Sequence, residues 1–173
     1  MLAYSYEPNR NGITYPVYIQ PKLNGIRALY QVGHLQTDNE VPFQFLNHLT
    51  EPLSKIFDER VILDGELYVH GWSLEQIEDA ISADNARLEY HVFDVVNFNR
   101  SFESRFMAPA SILIDTQHLH KTKPVETHRL LSAKPVNYFY DKWLDAGYEG
   151  LIYRLNGCPY VSGKSKNLLY RHK

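Results

Sequence analysis

The residues best suited to chemistry are a lysine, Lys22, in the segment Gln-Pro-Lys-Leu-Asn-Gly-Ile-Arg at 20–27, and the polar residues of four later motifs. Those motifs are Leu-Asp-Gly-Glu-Leu at 63–67, His-Val-Phe-Asp-Val at 91–95, Tyr-Glu-Gly-Leu-Ile-Tyr-Arg at 148–154, and a basic run at 164–173. A lysine amine is a nucleophile only when deprotonated, so burial or nearby cations must lower its ordinary pKa of about 10.4. The carboxylates could bind hydroxyl groups or a hard cation, and the basic run could attract phosphate.

Each motif also has an ordinary structural interpretation. Asn24-Gly25 predicts a hairpin turn, in which Lys22 would be a solvated turn residue. Glu66 and Glu149 would be exposed acids on strands, and Phe93 would be a core residue. The basic run would be a solvated terminus. Any one motif alone is weak evidence, and it is their fixed order along the chain that favours chemistry.

Periodicity and turn signals place the motifs in an α+β fold with largely antiparallel sheets flanked by helices. Strands are predicted at 16–20, 25–32, 60–69 with a break at 64–65, 88–96, 125–131 and 149–154. Helices are predicted at 42–53, from the N-cap Ser73 to Ile81 with Gln76 completing a capping box, at 102–114 and at 135–146. We expect residues 1–173 to form a single domain.

Composition narrows the class of protein. With 44% hydrophobic and 13% aromatic residues the chain is not disordered, while a net charge of −2 gives no bulk signal for nucleic acid. Cys158 is the only cysteine, so an internal disulfide is excluded and a reducing compartment is expected. No apolar run approaches the roughly 20 residues of a membrane helix, and no export signal follows Met1. We therefore expect a cytoplasmic protein with no membrane partner, and we expect it to act as a monomer.

The motifs together resemble those of the covalent nucleotidyltransferase superfamily, which contains ATP-dependent DNA ligases, RNA ligases and mRNA capping guanylyltransferases. The resemblance runs from about Pro16 to Lys173 and is strongest to small bacteriophage-type DNA ligases. It implies the ATP-grasp-like nucleotidyltransferase fold of a ligase adenylation domain. Relatives carry an oligonucleotide-binding-fold domain beyond the point where this sequence ends, and we expect slow self-adenylation without it.

The resemblance implies a role for each motif. Lys22 would attack the α-phosphate of ATP to form a covalent lysyl-AMP, which is then passed to a 5′-phosphate at a nick in double-stranded DNA. Arg27 would contact ribose or phosphate oxygens, and Glu66 would bind the ribose hydroxyls. Phe93 would stack on adenine, and Glu149 would hold Mg²⁺ beside the phosphates.

Two parts of the nucleotide site are implied less directly. Gln20, two residues before the lysine, would contact the edge of adenine. The basic end would supply two cations for the α-phosphate: Arg171 and Lys173 if aligned on the preceding glycine, but Tyr170 and His172 if aligned on the leucine pair. We favour the first alignment, because phosphate is bound best by fixed positive charge.

Two departures from the family pattern and three alternatives accompany this interpretation. Asn24 replaces the usual aspartate, and the segment 36–40 lacks the arginine of a Ser-Arg-x-Gly-like turn. Both features, with the acidic pI, are compatible with a catalytically weak nucleotide-binding or DNA-binding module. A capping guanylyltransferase would prefer GTP, and an RNA ligase is disfavoured by Arg27, where many RNA ligases carry asparagine.

Overall fold

The computed structural model describes residues 4–5, 12–116, 119–155, 157–163 and 169–172, with the first and last of these ranges as backbone only. Its residues divide into two compact units. The first, which we call the Lys22 unit, comprises residues up to 23, 97–105 and those from 125 onward; the second, the Glu66 unit, comprises 24–96 and 106–124. The boundary after Leu23 divides the 20–27 motif, so this motif contributes residues to both units.

The Lys22 unit is built on a sheet with strand order β1-β10-β9-β2-β8. Its elements are β1 (Tyr4–Ser5), β2 (Val17–Pro21), β8 (His128–Leu130), β9 (Leu151–Leu155), β10 (Leu169–His172) and α4 (Val136–Asp145). β1 pairs in parallel with β10, and the other pairs are antiparallel. One core joins α4 to the sheet, consisting of Val17, Ile19, Leu130, Val136, Trp143, Leu151 and Tyr153.

The Glu66 unit is built on a sheet with strand order β4-β3-β5-β6-β7. Its elements are β3 (Ile26–Gln31), β4 (His34–Gln36), α1 (Asn47–Ser54), β5 (Leu63–Tyr68), α2 (Leu74–Ser82), β6 (Glu89–Val95) and β7 (Thr122–Pro124). Only β6 and β7 pair in parallel among its described strands. Helix α3 (Phe102–Asp115) gives residues 102–105 to the Lys22 unit and the rest to the Glu66 unit.

The predicted α+β fold with largely antiparallel sheets is confirmed, and the predicted capping box of Ser73 and Gln76 opens α2. The first predicted helix starts later than residue 42, because Phe45 has a φ of 68° that helical backbone cannot adopt. β5 is not broken at 64–65; instead its pairing with β6 shifts register there. Among the described residues, no helix combines the length and apolar character needed to cross a membrane.

The predicted hairpin at Asn24-Gly25 is wrong. β2 pairs with β8 and β9, whereas β3 pairs with β4 and β5, so the two strands that flank Asn24-Gly25 belong to different sheets. Gly25 does not have the positive φ of a hairpin glycine. It is required by close packing, because a Cβ at this position would lie 2.3 Å from the backbone oxygen of Leu67 and 2.9 Å from Cγ of Glu66.

Replacing Gly25 by alanine is therefore expected to destabilise the protein by about 2–3 kcal/mol, since the clash is with backbone that cannot move aside. Urea unfolding would measure the change in the free energy of unfolding. Gly12→Ala is the matched control, because a Cβ at Gly12 meets nothing within 4 Å. Equal stability of the two variants would contradict the packing role of Gly25.

Candidate functional site

Lys22 and Glu149 form an ion pair in the Lys22 unit, although 127 residues separate them in the sequence. The amide of Lys22 donates to the carbonyl of Gly150 at 2.9 Å, and the amide of Glu149 donates to the carbonyl of Lys22 at 3.1 Å. These bonds extend the pairing of β2 and β9 beyond the strand ends and hold the two side chains together. The side chains are 25% and 34% exposed, so Lys22 is not the solvated turn residue of the ordinary interpretation.

This pair has a direct chemical consequence. A lysine attacks only as the neutral amine, because the ammonium form has no lone pair. A role as nucleophile would require Lys22 to exchange its contact with Glu149 for one with the substrate. The structure thus brings a candidate nucleophile and a candidate metal ligand to one point.

The surroundings of Glu149 bear on whether it could bind Mg²⁺. Within the described ranges, no group of three or more His, Cys, Asp or Glu side chains is arranged to hold a metal ion. Mg²⁺ characteristically uses one or two carboxylates and completes its coordination with water and substrate phosphates. The single half-buried carboxylate of Glu149 beside Lys22 fits that pattern, and it does not fit a metal site built wholly from protein.

Gln20 is buried in the same unit, with 1% of its surface exposed. Its Oε1 accepts a hydrogen bond from Nε of Arg154 at 2.5 Å, and its Nε2 donates to Oγ1 of Thr127 at 2.9 Å. Arg154 is 4% exposed, and its guanidinium carbon lies 5.0 Å from the ring centroid of Phe102. Neither Arg154 nor Thr127 was predicted to have a role, although Arg154 is the last residue of the 148–154 motif.

Arg27 and Glu66 are brought together in the Glu66 unit. They are register partners on β3 and β5, and His91 is the partner of Glu66 on β6, so the three side chains share one face of the sheet. The Oε1 of Glu66 accepts a hydrogen bond from the amide of Gly25. Glu66 is half-buried, so a carboxylate that could bind hydroxyl groups is held at a defined position.

Asp64 holds Arg27 in place. Nε and Nη2 of Arg27 donate to the two carboxylate oxygens of Asp64 at 2.9 and 3.1 Å, and Asp64 is fully buried. A second carboxylate, from Asp38, lies 3.6 Å from Nη1 of Arg27. Arg27 is thus a partly buried, paired guanidinium and not an exposed surface arginine.

Phe93 lies at a β-bulge in β6. Asp94 is opposite Asp64 and Val92 is opposite Gly65, so Phe93 is the extra residue between them. Bulges redirect side chains and are frequent beside active sites. Phe93 is half-buried, in contrast to the fully buried Val92 and Asp94 on either side. The expectation that composition alone suggests, an ordinary core phenylalanine, is therefore not met.

The basic end is described only in part. Arg171 lies on β10 opposite Ile152, while Tyr170 is opposite Tyr153 and His172 is opposite Leu151. These pairings concern the backbone. The side chain of Arg171 and the whole of Lys173 lie outside the described residues, so their assignment stays a prediction.

Glu89 is a second charged centre of the Glu66 unit, on the same strand as His91. Its carboxylate accepts from Nζ of Lys123 at 2.9 Å and lies 2.9 Å from Nε2 of His91. The hydrogen bond from His91 and then that from Lys123 outweigh burial and lower the pKa of Glu89 from 4.5 to about 2. The ion pair between Glu89 and Lys123 joins β6 to β7 in the same sheet that contains Glu66.

Because the pKa of Glu89 is lower in the folded state, its stabilisation is complete above pH 4.5 and is lost as the pH falls through about 2. We expect Glu89→Gln to lower the free energy of unfolding at neutral pH by about 2 kcal/mol. The difference in the free energy of unfolding between the wild-type protein and Glu89→Gln should shrink as the pH falls from 4.5 to about 2. Urea unfolding at several pH values would test this, with the exposed Glu59→Gln as control. A deficit independent of pH would contradict the electrostatic origin.

The known proteins that this chain resembles in sequence and in structure are DNA ligases. The DNA ligase of African swine fever virus (strain Badajoz 1971 Vero-adapted) is 28% identical over 158 residues, covering 84% of this chain and 38% of that protein. The Chlorella virus DNA ligase-adenylate structure has a TM-score of 0.82 at 20% identity, covering 99% of this chain and 67% of that one. The ATP-dependent DNA ligase from bacteriophage T7 in complex with ATP has a TM-score of 0.73 at 14% identity, with coverages of 99% and 67%.

The solved structures establish the fold, which is that of ligase nucleotidyltransferase domains. The chain spans about two-fifths of the length of the curated viral relatives it matches. A family model described as the ATP dependent DNA ligase domain matches residues 1–173. The chain therefore belongs to the ATP-dependent DNA ligase domain family.

Proposed function

We propose that this chain catalyses the adenylation steps of an ATP-dependent DNA ligase. Nζ of Lys22, having lost its proton, attacks the α-phosphorus of ATP; a nitrogen–phosphorus bond forms and pyrophosphate leaves with the oxygen that joined it. The AMP is next transferred to the 5′-phosphate at a nick in double-stranded DNA, which frees the lysine. The 3′-hydroxyl then displaces AMP and completes the phosphodiester bond. The observation that carries this proposal is the pairing of Lys22 with Glu149 in a chain of the ligase family.

The remaining side chains are proposed to bind the nucleotide. Glu66, already an acceptor for a backbone amide, accepts from the ribose hydroxyls, and Arg27 donates to ribose or phosphate oxygens from the position that Asp64 fixes. Phe93 stacks on adenine, which is worth about 1–3 kcal/mol. Gln20 contacts the edge of the base.

The phosphates are proposed to be bound by fixed charges at the end of the chain and by a metal. Arg171 and Lys173 neutralise the α-phosphate as charge develops on it. Glu149 is the residue that would hold Mg²⁺, and the bound ion would supply charge neutralisation at the phosphate oxygens. We further propose that the protein acts as a monomer inside the cell, with nicked DNA and ATP as its partners.

Intact mass spectrometry tests the proposal most directly. The purified protein would be incubated with Mg²⁺ and either ATP or GTP, and its mass compared with that before incubation. An increase that matches AMP is expected, and it should disappear on addition of nicked duplex DNA. An increase that matches GMP would identify a capping guanylyltransferase, and discharge only by nicked RNA would identify an RNA ligase. Absence of any adduct, with nucleotide binding retained, would indicate a binding module and refute the proposal.

A further inference from the structure

A cavity of about 620 Å³ lies between the C-terminal end of α3 and β7, within the Glu66 unit. Its apolar walls are formed by Leu113, Ile114, Leu119 and Pro124, and its polar lining residues are two threonines, a histidine and a lysine. Backbone hydrogen bonds of 3.1 Å, from Leu119 to Thr116 and from Thr122 to Leu119, shape the segment between helix and strand. The volume falls within the roughly 300–1,000 Å³ that is usual for small-molecule sites.

Thr122 brings to this cavity a buried hydroxyl group that the fold leaves without a hydrogen bond. The part of the chain that the structure describes has six buried polar or charged side chains, those of Gln20, Asp64, Asp94, Arg105, Thr122 and Arg154. Five of the six make hydrogen bonds. The hydroxyl of Thr122, a residue that is 2% exposed, makes none within the described ranges. Leaving a buried hydroxyl unpaired is costly, so a group of this kind indicates a partner from outside the fold.

The hydroxyl of Thr122 is directed away from the residues of this unit that are proposed to bind the ribose. Lys123 is the register partner of His91, and His91 is the partner of Glu66, so these side chains share one face of the sheet. Thr122 precedes Lys123 and is the partner of the buried Tyr90. Because successive side chains of a strand point to opposite faces, Thr122 belongs to the face opposite Glu66.

We propose that this cavity is a second binding site, for a small molecule whose apolar body carries one hydroxyl group. The apolar walls contact the body of the ligand. The hydroxyl of Thr122, which can donate or accept, exchanges a hydrogen bond with the hydroxyl of the ligand. This inference does not rest on the proposed function, because none of the lining residues has a role in adenylation.

The test compares two probes, p-cresol and toluene, which share a methylated ring and differ by one hydroxyl group. Each would be titrated into isotope-labelled protein, and its dissociation constant taken from chemical-shift changes of the backbone amides. We expect both probes to saturate, with the largest shifts in residues 113–124. Thr122→Val keeps the side-chain volume and removes the hydroxyl. It should lower the ratio of the toluene to the p-cresol dissociation constant by about fivefold, the effect of one hydrogen bond.

The matched control is Thr116→Val. Thr116 lines the same cavity, but its Oγ1 already donates to the carbonyl of Ile112 at 2.7 Å. The ratio of the two dissociation constants in Thr116→Val should therefore equal that of the wild-type protein.

Thermal unfolding gives a second, ligand-free readout. Removing an unpaired hydroxyl should leave Thr122→Val at least as stable as the wild-type protein, whereas Thr116→Val loses a hydrogen bond and should unfold at a lower temperature. A destabilised or unfolded Thr122→Val would show that the hydroxyl is bonded within the fold, and this would overturn the inference. An unchanged ratio in Thr122→Val, or shifts that are scattered over the protein and do not saturate, would overturn it as well. None of these results bears on the AMP adduct, so the proposed function is tested separately.

Discussion

Replacing Lys22 by alanine is expected to abolish the covalent nucleotide adduct, with a loss of at least about 10³-fold in its rate of formation. No other group can take over the reaction, because the attacking nitrogen itself is removed. Lys22→Arg should be equally inactive, since a guanidinium stays protonated at all accessible pH values. Intact mass after incubation with ATP and Mg²⁺ measures both results.

The control for this experiment is another lysine of the same unit. Lys134 is exposed and precedes α4, so Lys134→Ala should form the adduct at the wild-type rate. Peptide mapping of the wild-type adduct should place AMP on the peptide that contains Lys22. An adduct of full yield in Lys22→Ala, or a modified peptide elsewhere, would refute the assignment of the nucleophile.

Replacing Glu149 by glutamine is expected to slow adduct formation by roughly 100-fold, the scale of effect seen when a reacting group is misplaced. The change removes the partner that orients Lys22 and also the carboxylate proposed to hold Mg²⁺. Glutamine has nearly the same size, so the backbone bonds between residues 22 and 149–150 should persist. Single-turnover adduct formation at a series of Mg²⁺ concentrations would measure the effect.

The two roles of Glu149 give different results in that titration. A lost metal ligand raises the Mg²⁺ concentration required for half-maximal rate, whereas a lost orienting contact lowers the rate at every Mg²⁺ concentration. Glu51→Gln, on an exposed turn of α1, should behave as wild type in both respects. Wild-type kinetics in Glu149→Gln would contradict both proposed roles of Glu149, in orienting Lys22 and in binding Mg²⁺.

Local features were predictable from the sequence because their causes lie within a few residues. The capping box at Ser73 and Gln76 needs only residues three positions apart, and α2 begins where the pattern indicated. The alternating apolar residues of 63–67 likewise predicted β5. Asn24-Gly25 favours a hairpin locally, yet β2 pairs with β8 and β9 while β3 pairs with β4 and β5.

The register at the bulge was not predictable for a related reason. Nothing in the segment 91–95 marks Phe93 as the extra residue of a bulge until β5 is placed beside β6. Gly65 was interpreted as a break in a strand, but it lies within β5. Glycine is required there because a Cβ would lie 2.6 Å from the backbone oxygen of His91. A close approach between two strands is a property of the pair, and neither strand encodes it alone.

The sequence by itself determined the candidate chemistry of this protein: the lysine at position 22, the acids at 66 and 149 and the order of the motifs that contain them. Tertiary structure alone decided which of these residues meet. Antiparallel pairing of β2 with β9 places Glu149 against Lys22 and Arg154 against Gln20, across 127 and 134 residues of chain. Such contacts depend on strand order and register, which are set by burial and backbone pairing over the whole sheet rather than by any local pattern.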